Sequence, residues 1–158
     1  MPLFNKMFEL SQGKSISYNN KTIHRALSVN GPKKLKIEVK FIERNSIYRQ
    51  GISFSMFTMK GKLYCNGETV SKGGFEFWED SSPQKFTVDV EIDNGELSIF
   101  NISEYIDFRG IHSKTSLSKG MAFYYEEIGA NKYRCYCNDW QPDDNFDDLV
   151  FDIEYIEN

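Results

Sequence analysis

Two segments of the chain alternate between apolar and polar residues at every position. Residues 34–41 read Lys-Leu-Lys-Ile-Glu-Val-Lys-Phe, and residues 86–93 read Phe-Thr-Val-Asp-Val-Glu-Ile-Asp. Because successive side chains of a strand point to opposite sides, each segment is predicted to be a strand with one buried and one solvated face. The pattern favours an antiparallel sheet, since parallel strands are usually buried on both faces.

Similar runs predict further short strands along the chain. They cover residues 16–18, 22–29, 52–59, 62–65, 74–78, 97–102, 121–126, 133–137 and 149–156. The Asn94-Gly95 pair is expected to form a type I′ hairpin turn, and residues 18–21 and 59–62 are expected to be turns as well. With about ten short strands and no helix of more than two turns, residues 1–158 are predicted to form a single all-β domain, an antiparallel β-sandwich or jelly roll.

One long connection, residues 103–120, interrupts this pattern. It carries Tyr105, Phe108, Arg109 and His112. Connections of this length in a compact domain are usually functional or partly structured. We expect a short helical turn near residues 104–108.

The composition excludes several classes of protein. Hydrophobic residues make up 40% of the chain and aromatic residues 15%, which excludes a disordered protein. The formal charge is -4, which argues against a nucleic-acid partner. No stretch approaches the roughly 18 apolar residues that a membrane helix needs, no signal-peptide pattern is present, and three cysteines cannot form a complete disulfide framework. A cytoplasmic protein with no membrane partner is expected, while leaderless secretion remains open.

The charge is unevenly distributed. Residues 135–158 contain eight Asp and Glu residues and no Lys or Arg, whereas the preceding 134 residues hold 19 bases and 15 acids. An acidic tail therefore follows a mildly basic body. Either the tail folds back over the body, or it concentrates negative charge for a cation or a basic partner.

Much of this negative charge lies in one loop, residues 138–148, between two predicted strands. The loop reads Asn-Asp-Trp-Gln-Pro-Asp-Asp-Asn-Phe-Asp-Asp. Crowded carboxylates repel one another unless they are solvated or share a cation, and Ca²⁺ prefers six to eight oxygen ligands. Asp143, Asn145 and Asp147 have the spacing of an EF-hand loop. However, Asp148 replaces the required glycine and no helices flank the loop, which argues against an EF-hand.

The loop resembles two groups of calcium-binding β-proteins. The run from Asp144 to Val150 is similar to the D-x-D-F-N-D-L/V-V signature of certain secreted bacterial β-domains, and residues 138–145 resemble the calcium loop of PA-IL-type galactophilic lectins. Those lectins are small jelly rolls that bind sugar hydroxyls through the ion. The resemblance implies Asp139, Asp144 and Asn145 as Ca²⁺ ligands, with a main-chain carbonyl near residues 142–143. Asp147 is a further candidate metal ligand.

Residues at the rim of the loop are candidates for ligand binding. Trp140, Gln141 and Asp143 are placed there, and Trp140 would stack on a sugar face. Two alternatives stay open. Trp140 is equally suited to cap the core, and the whole loop can be a solvated acidic turn anchored by apolar residues such as Phe146 and Leu149.

The remaining candidates for chemistry are the cysteines, as zinc ligands, and His112, as a catalytic residue. Cys135 and Cys137 are predicted to point to the same face of a strand as buried thiols, because only Cys65, His24 and His112 are available as further zinc ligands. His112 is the only reasonable catalytic candidate, and no Gly-x-Ser-x-Gly elbow is present. We therefore predict that the protein is not an enzyme.

Three functions remain, in order of preference. The first is a non-catalytic binding module that uses Ca²⁺ to recognise a carbohydrate or another polyhydroxylated ligand through residues 138–148. The second is an intracellular protein-interaction module of the immunity or inhibitor type, whose acids bind a basic partner. The third is an enzyme that uses the long connection and His112. A stripe of lysines is expected either to keep the chain soluble or to dock its acidic tail or a second subunit of a homo-oligomer. It comprises Lys33, Lys34, Lys36 and Lys40.

Overall fold

A computed structural model describes residues 3–116 and 119–157. The described residues form one helix and twelve strands. These are α1 (Phe4–Leu10), β1 (Ile16–Tyr18), β2 (Lys21–Ile23), β3 (Leu27–Asn30), β4 (Lys33–Arg44), β5 (Gln50–Cys65), β6 (Glu68–Val70), β7 (Gly74–Trp78), β8 (Lys85–Ile106), β9 (His112–Thr115), β10 (Ala122–Gly129), β11 (Lys132–Asn138) and β12 (Leu149–Glu157). No helix in this part of the chain has the length and apolar character needed to cross a membrane.

Ten strands belong to one antiparallel sheet. The main order is β10-β11-β12-β4-β8-β5-β6, with β3 and β9 also paired to β8 and β7 paired to β5. β1 and β2 form a separate hairpin. The acidic tail therefore does fold back over the body, because β12 lies between β11 and the lysine-rich β4.

The two longest strands, β5 and β8, pass through both layers of a sandwich. Residues 85–92 of β8 pair with β4, whereas residues 96–99 pair with β3. β5 pairs with β8 on both sides of this change, with register shifts in between. Buried residues from both halves pack into one core cluster. Layer one thus contains β10, β11, β12, β4, the first half of β8, the second half of β5 and β6. Layer two contains β3, the second half of β8, the first half of β5 and β7. The predicted all-β sandwich is confirmed.

Two predicted hairpin turns are wrong because the strands continue through them. Asn94-Gly95 lies inside β8, and residues 59–62 lie inside β5. Gly95 has a φ of 80°, and a Cβ there would overlap the carbonyl oxygen of Thr58. The glycine bends the strand without reversing it, since β5 runs alongside and keeps pairing with both halves. As a result, β8 has 22 residues and β5 has 16, so these strands are not short.

The other local predictions have mixed outcomes. The turn at residues 18–21 is confirmed: Tyr18 pairs with Lys21 across two residues of positive φ, as a type I′ turn requires. The helical turn near residues 104–108 is wrong, because residues 103–106 pair with β9. The long connection therefore contains a β-hairpin, and its residues 117 and 118 lie outside the described part of the chain.

The alternating segments behave as predicted. Leu35, Ile37 and Val39 on β4 are at most 2% exposed and face the core. The intervening lysines lie on the outer face, where Lys36 pairs with Asp89 at 2.6 Å and Lys34 with Glu91 at 3.8 Å. A second, smaller core lies where α1 and β2 cover β10 and the acidic loop. It contains Phe4, Phe8, Ile23, Ala122 and Phe146.

The direction of β4 defines the two ends of the sandwich. At its first residues, β4 pairs with residue 92 of β8, next to the bend at Gly95; we call this the bend end. At its last residue, Arg44, it pairs with Leu149 at the start of β12. Loops 45–49, 79–84, 107–111 and 139–148 follow or precede strands at this second end, which we call the loop end.

Candidate functional site

Loop 45–49 connects the other loops of the loop end. The Ser46 hydroxyl donates to Asp139 at 2.6 Å, and the Tyr48 ring lies 5.1 Å from the Trp140 ring. On the other side, the Arg49 guanidinium donates to Asp80 at 2.8 Å. Loop 45–49 therefore lies between the acidic loop and loop 79–84 and contacts both. Residues 93 positions apart in the sequence thereby become neighbours.

The acidic loop is fixed from below by Asn138, which is fully buried. Its Nδ2 donates to the carbonyl oxygens of Gly120 at 3.0 Å and Asp143 at 2.6 Å, and its Oδ1 accepts from the Phe146 amide at 3.3 Å. Phe146 is 2% exposed and inserts into the smaller core. The sequence indicated the Phe146 anchor but not Asn138, because the three partners of that amide come together only in the folded loop.

Two acids of this region are buried beneath the loop surface. Asp139 is 3% exposed, and its second carboxylate oxygen accepts from the Gln141 amide at 2.9 Å. Asp148 is 5% exposed and accepts from the Asp139 amide at 2.8 Å. Burial, reinforced by the negative charges of Asp139, Asp143 and Asp147, raises the pKa of Asp148 to about 7. The Asp148 carboxyl therefore titrates near neutral pH, well above the usual range of an aspartate.

The remaining predicted ligands lie at the surface. Asp144, Asn145 and Asp147 are exposed, and Asp143 is half-buried. Asp144 accepts from the Tyr18 hydroxyl at 3.1 Å. Burial and neighbouring acids raise the pKa of Asp143. Among residues 3–116 and 119–157, no Lys or Arg forms an ion pair with an acid of residues 138–148.

The structure does not gather the predicted metal ligands around one point. Asp139 lies in the interior beside Ser46, whereas Asp144 reaches the β1–β2 turn at Tyr18. In the described ranges, no three or more His, Cys, Asp or Glu side chains form a group that could hold a metal ion. The loop as seen here is an acidic surface above two buried acids.

Trp140 is enclosed by aromatic neighbours. Its ring makes edge contacts with Tyr48 at 5.1 Å and Tyr105 at 5.4 Å. The neighbouring Gln141 amide donates to the Tyr48 hydroxyl at 3.2 Å. The Trp140 indole N–H is buried and has no partner. Trp140 therefore packs among tyrosines of the loop end and belongs to neither core cluster.

Two apolar side chains at the loop end are almost fully exposed. Ile47 is 89% exposed and Phe108 is 98% exposed. Phe108 projects from a turn that Asp107 organises: its carboxylate accepts from the amides of Arg109 at 2.8 Å and Ile111 at 3.0 Å. Hydrogen bonds from Arg109 lower the pKa of Asp107, so the turn keeps its charge. The sequence did not predict the exposure of either side chain, because neither lies in an alternating segment.

The cysteines lie in the interior, and each histidine contacts a nearby polar side chain. All three thiols are free and buried, and Cys135 and Cys137, for which burial was predicted, are fully buried. Burial raises the pKa of all three thiols, which keeps them protonated. His112 makes an exposed contact with Glu104 at 2.9 Å, and His24 lies 2.7 Å from the Ser15 hydroxyl.

The loop end is therefore an acidic surface with two exposed apolar side chains, and its loops are joined by hydrogen bonds and aromatic contacts. No family model, curated protein or solved structure matches the chain.

Proposed function

We propose that the protein is a non-catalytic binding module that recognises a basic protein partner through the loop end. One observation carries the proposal: the loop end holds acids that have no Lys or Arg partner in the described chain, and it also holds two apolar side chains that are almost fully exposed. Acids alone are common on protein surfaces. Their combination with Ile47 and Phe108 on structured loops resembles a protein-binding surface, in which charge selects the partner and buried apolar groups supply affinity.

The electrostatic part of the proposal rests on uncompensated repulsion. Asp143, Asp144 and Asp147 lie close together. Two other acids of the tail do pair with bases, Asp152 with Arg134 at 2.8 Å and Glu157 with Lys33 at 3.2 Å. Lys or Arg side chains of a partner would relieve this repulsion. Electrostatic attraction to a basic partner raises the association rate, and salt weakens this attraction by screening it.

The apolar part rests on pre-organisation. Phe108 loses little freedom on binding, because the Asp107 carboxylate already fixes its turn. Ile47 lies between Ser46 and Tyr48, which both contact the acidic loop. Rigid apolar anchors bind with a smaller entropic cost than mobile ones.

Calcium-assisted glycan recognition stays a prediction that rests on the sequence of the loop. A Ca²⁺ ion would relieve the same repulsion as a basic partner, and Asp144, Asn145 and Asp147 offer exposed oxygens. Both carboxylate oxygens of Asp139 are already hydrogen-bonded to Ser46 and Gln141, so that residue would have to exchange partners. We therefore prefer the protein-partner proposal and include Ca²⁺ in its test.

The test compares two loop-end variants in affinity capture followed by measured binding. A basic partner captured from lysate of the source cells is purified, and its Kd is measured by calorimetry at low and high salt. The triple variant Asp143→Asn, Asp144→Asn, Asp147→Asn should weaken binding at least about tenfold at low salt. Phe108→Ser should weaken it at least about tenfold at every salt concentration.

The control neutralises acids elsewhere. Glu126→Gln with Glu127→Gln removes two charges from the exposed part of β10, away from the loop end, and should leave the Kd unchanged. Equal affinity of the wild type and both loop-end variants would overturn the proposal. Binding of a glycan array only in the presence of Ca²⁺, together with a calcium-dependent rise in Tm, would instead establish the lectin-like function.

A further inference from the structure

Three tyrosines form a wall on the inner face of layer one, at the bend end. Tyr125 pairs with Cys135 across β10 and β11, and Tyr133 lies two residues before Cys135, so both point to the same side as this fully buried thiol. Tyr155 stands in the same relation to the buried Ile153 on β12. Inner positions of a closed sandwich are normally aliphatic. Here they carry aromatic rings with a polar tip.

Layer two does not cover this wall. Its edge strand β3 has only four residues and pairs with β8 alone. An open cleft of about 400 Å³ remains between β3 and the tyrosines. Its floor is apolar and includes Leu27, Val29 and Leu35. We call this space the tyrosine cleft. Its volume falls within the range of small-molecule sites, about 300–1,000 Å³.

The tyrosine rings are arranged at steep angles to one another. The centroids of Tyr125 and Tyr133 are 5.3 Å apart with an interplanar angle of 74°, and those of Tyr133 and Tyr155 are 6.1 Å apart at 63°. Walls of this kind offer both ring faces and ring edges to a flat apolar group. The body of the preferred ligand is therefore a planar ring.

The mouth of the cleft carries two amide side chains, one cation and one carboxylate. Asn30, Asn131 and Lys33 line it, together with Glu157. Lys33 pairs with Glu157 at 3.2 Å, but the Glu157 side chain is 67% exposed. Exposed ion pairs contribute little, so an entering anion can take the place of Glu157 on Lys33. The polar end of the ligand is therefore anionic.

We propose that the tyrosine cleft binds a small molecule with a flat apolar ring and a carboxylate or similar anionic group. The ring packs between the tyrosines and the floor of β3 and β4, and the anion meets Lys33 and the two Asn amides. The cleft lies at the bend end, at the opposite end of β4 from the protein-binding surface. The proposal therefore does not depend on the function of the loop end.

The test uses three probes of different chemistry: naphthoate, naphthylmethylammonium and methyl glucoside. Binding is measured by calorimetry and by chemical-shift mapping on the full chain. We expect naphthoate to bind at least about tenfold more tightly than the other two, with the largest shifts at Tyr125, Tyr133 and Asn131. Tighter binding of the cation would identify an aromatic cage for amines, and tighter binding of the glucoside a sugar site; either result would overturn the proposal.

Two matched pairs of variants locate the binding. Lys33 lines the cleft, whereas Lys34 points to the opposite face and pairs with Glu91. Lys33→Ala should weaken naphthoate binding about tenfold, and Lys34→Ala should have no effect. Likewise, Tyr125 and Tyr64 are 38% and 44% exposed, but Tyr125 alone lines the cleft. Tyr125→Ala should weaken binding and Tyr64→Ala should not. If the two members of each pair behave alike, or no probe shifts the cleft residues, the proposal is wrong.

Discussion

At the scale of single residues, Asp148 links the acidic loop to pH. It is buried beneath the loop, and burial together with neighbouring acids raises its pKa from 3.8 to about 7. Between these two pH values the folded protein holds a proton that the unfolded chain releases. The contribution of Asp148 to stability is therefore complete below pH 3.8 and is lost as the pH rises through about 7.

Asp148→Asn should remove this loss, because the amide oxygen still accepts from the Asp139 N–H and carries no charge. After allowance for solvent screening, we expect the variant to gain about 1–2 kcal/mol relative to the wild type between pH 5 and pH 8. Urea unfolding at several pH values measures the difference. Burial lowers the pKa of His24, so the contribution of His24 to stability rises with pH. This contribution is the same in the wild type and in Asp148→Asn, and it cancels when their unfolding free energies are subtracted.

Asp93→Asn serves as the control for this prediction. Asp93 is an exposed acid inside β8, away from the loop end. Its replacement should leave the pH dependence of the wild type in place. A parallel pH dependence in wild type and Asp148→Asn would show that Asp148 is ionised throughout this range.

At the scale of elements, one buried side chain decides the shape of the acidic loop. Asn138→Ala would leave the Gly120 and Asp143 carbonyls and the Phe146 amide without their partner. We expect a loss of about 3 kcal/mol in unfolding free energy and faster amide hydrogen exchange across residues 139–148. Asn145→Ala, at an exposed position of the same loop, should change stability by less than about 0.5 kcal/mol. Equal effects of the two variants would contradict the role of Asn138.

The bend in β8 gives a second test at this scale, since two glycines share a similar backbone but differ in surroundings. Gly95 and Gly110 have φ values of 80° and 78°. A Cβ at Gly95 would overlap the Thr58 carbonyl, whereas no atom lies within 4 Å of a Cβ at Gly110. Gly110→Ala should cost about 1–2 kcal/mol for its backbone alone. Gly95→Ala should cost about 3 kcal/mol or more in urea unfolding. Similar losses would mean that the two layers tolerate a shift at the bend.

The bend also shows where local sequence signals stop being sufficient. An Asn-Gly pair favours a type I′ hairpin, in which both residues have positive φ, but in β8 only Gly95 has it. The pairing of β5 with both halves of β8 keeps the strand continuous, and no local sequence signal shows that pairing. The Asn19-Asn20 turn was predictable because both of its strands are local and pair with each other. In the same way, alternation identified the buried faces of β4 and β8, whose periodicity is a property of each strand alone.

The candidate site was only partly predictable for the same reason. The crowded acids of residues 138–148 are visible in the sequence. The contacts that divide them into buried and exposed groups come from Ser46, Tyr48 and Tyr18, which are distant along the chain. The exposure of Phe108 depends on the hairpin between β8 and β9, and the segment between them has no alternating pattern.

At the scale of the whole molecule, the buried thiols report on global stability. Cys135 and Cys137 are fully buried in the core shared by both layers, and burial raises their pKa values. Since the thiolate is the reactive form, a disulfide reagent should label neither residue in the native protein. Labelling should occur only when the whole protein unfolds, so the two thiols should react at the same rate. The free energy of opening calculated from that rate should equal the free energy of unfolding measured in urea. Faster labelling of either thiol would indicate that layer one opens on its own.

The two strands shared by both layers place the bends at one end of the sandwich and the exposed loops at the other. The bends in β5 and β8 lie at one end, where the close approach at Gly95 tolerates no side chain. The four loops of the loop end connect strands without setting how the layers fold over each other. The exposed positions of these loops, Ile47 and Phe108 among them, can therefore change to suit a different partner while the sandwich is retained. A collection of variants randomised only at the exposed positions Ile47 and Phe108 should retain the sandwich and differ in what it binds.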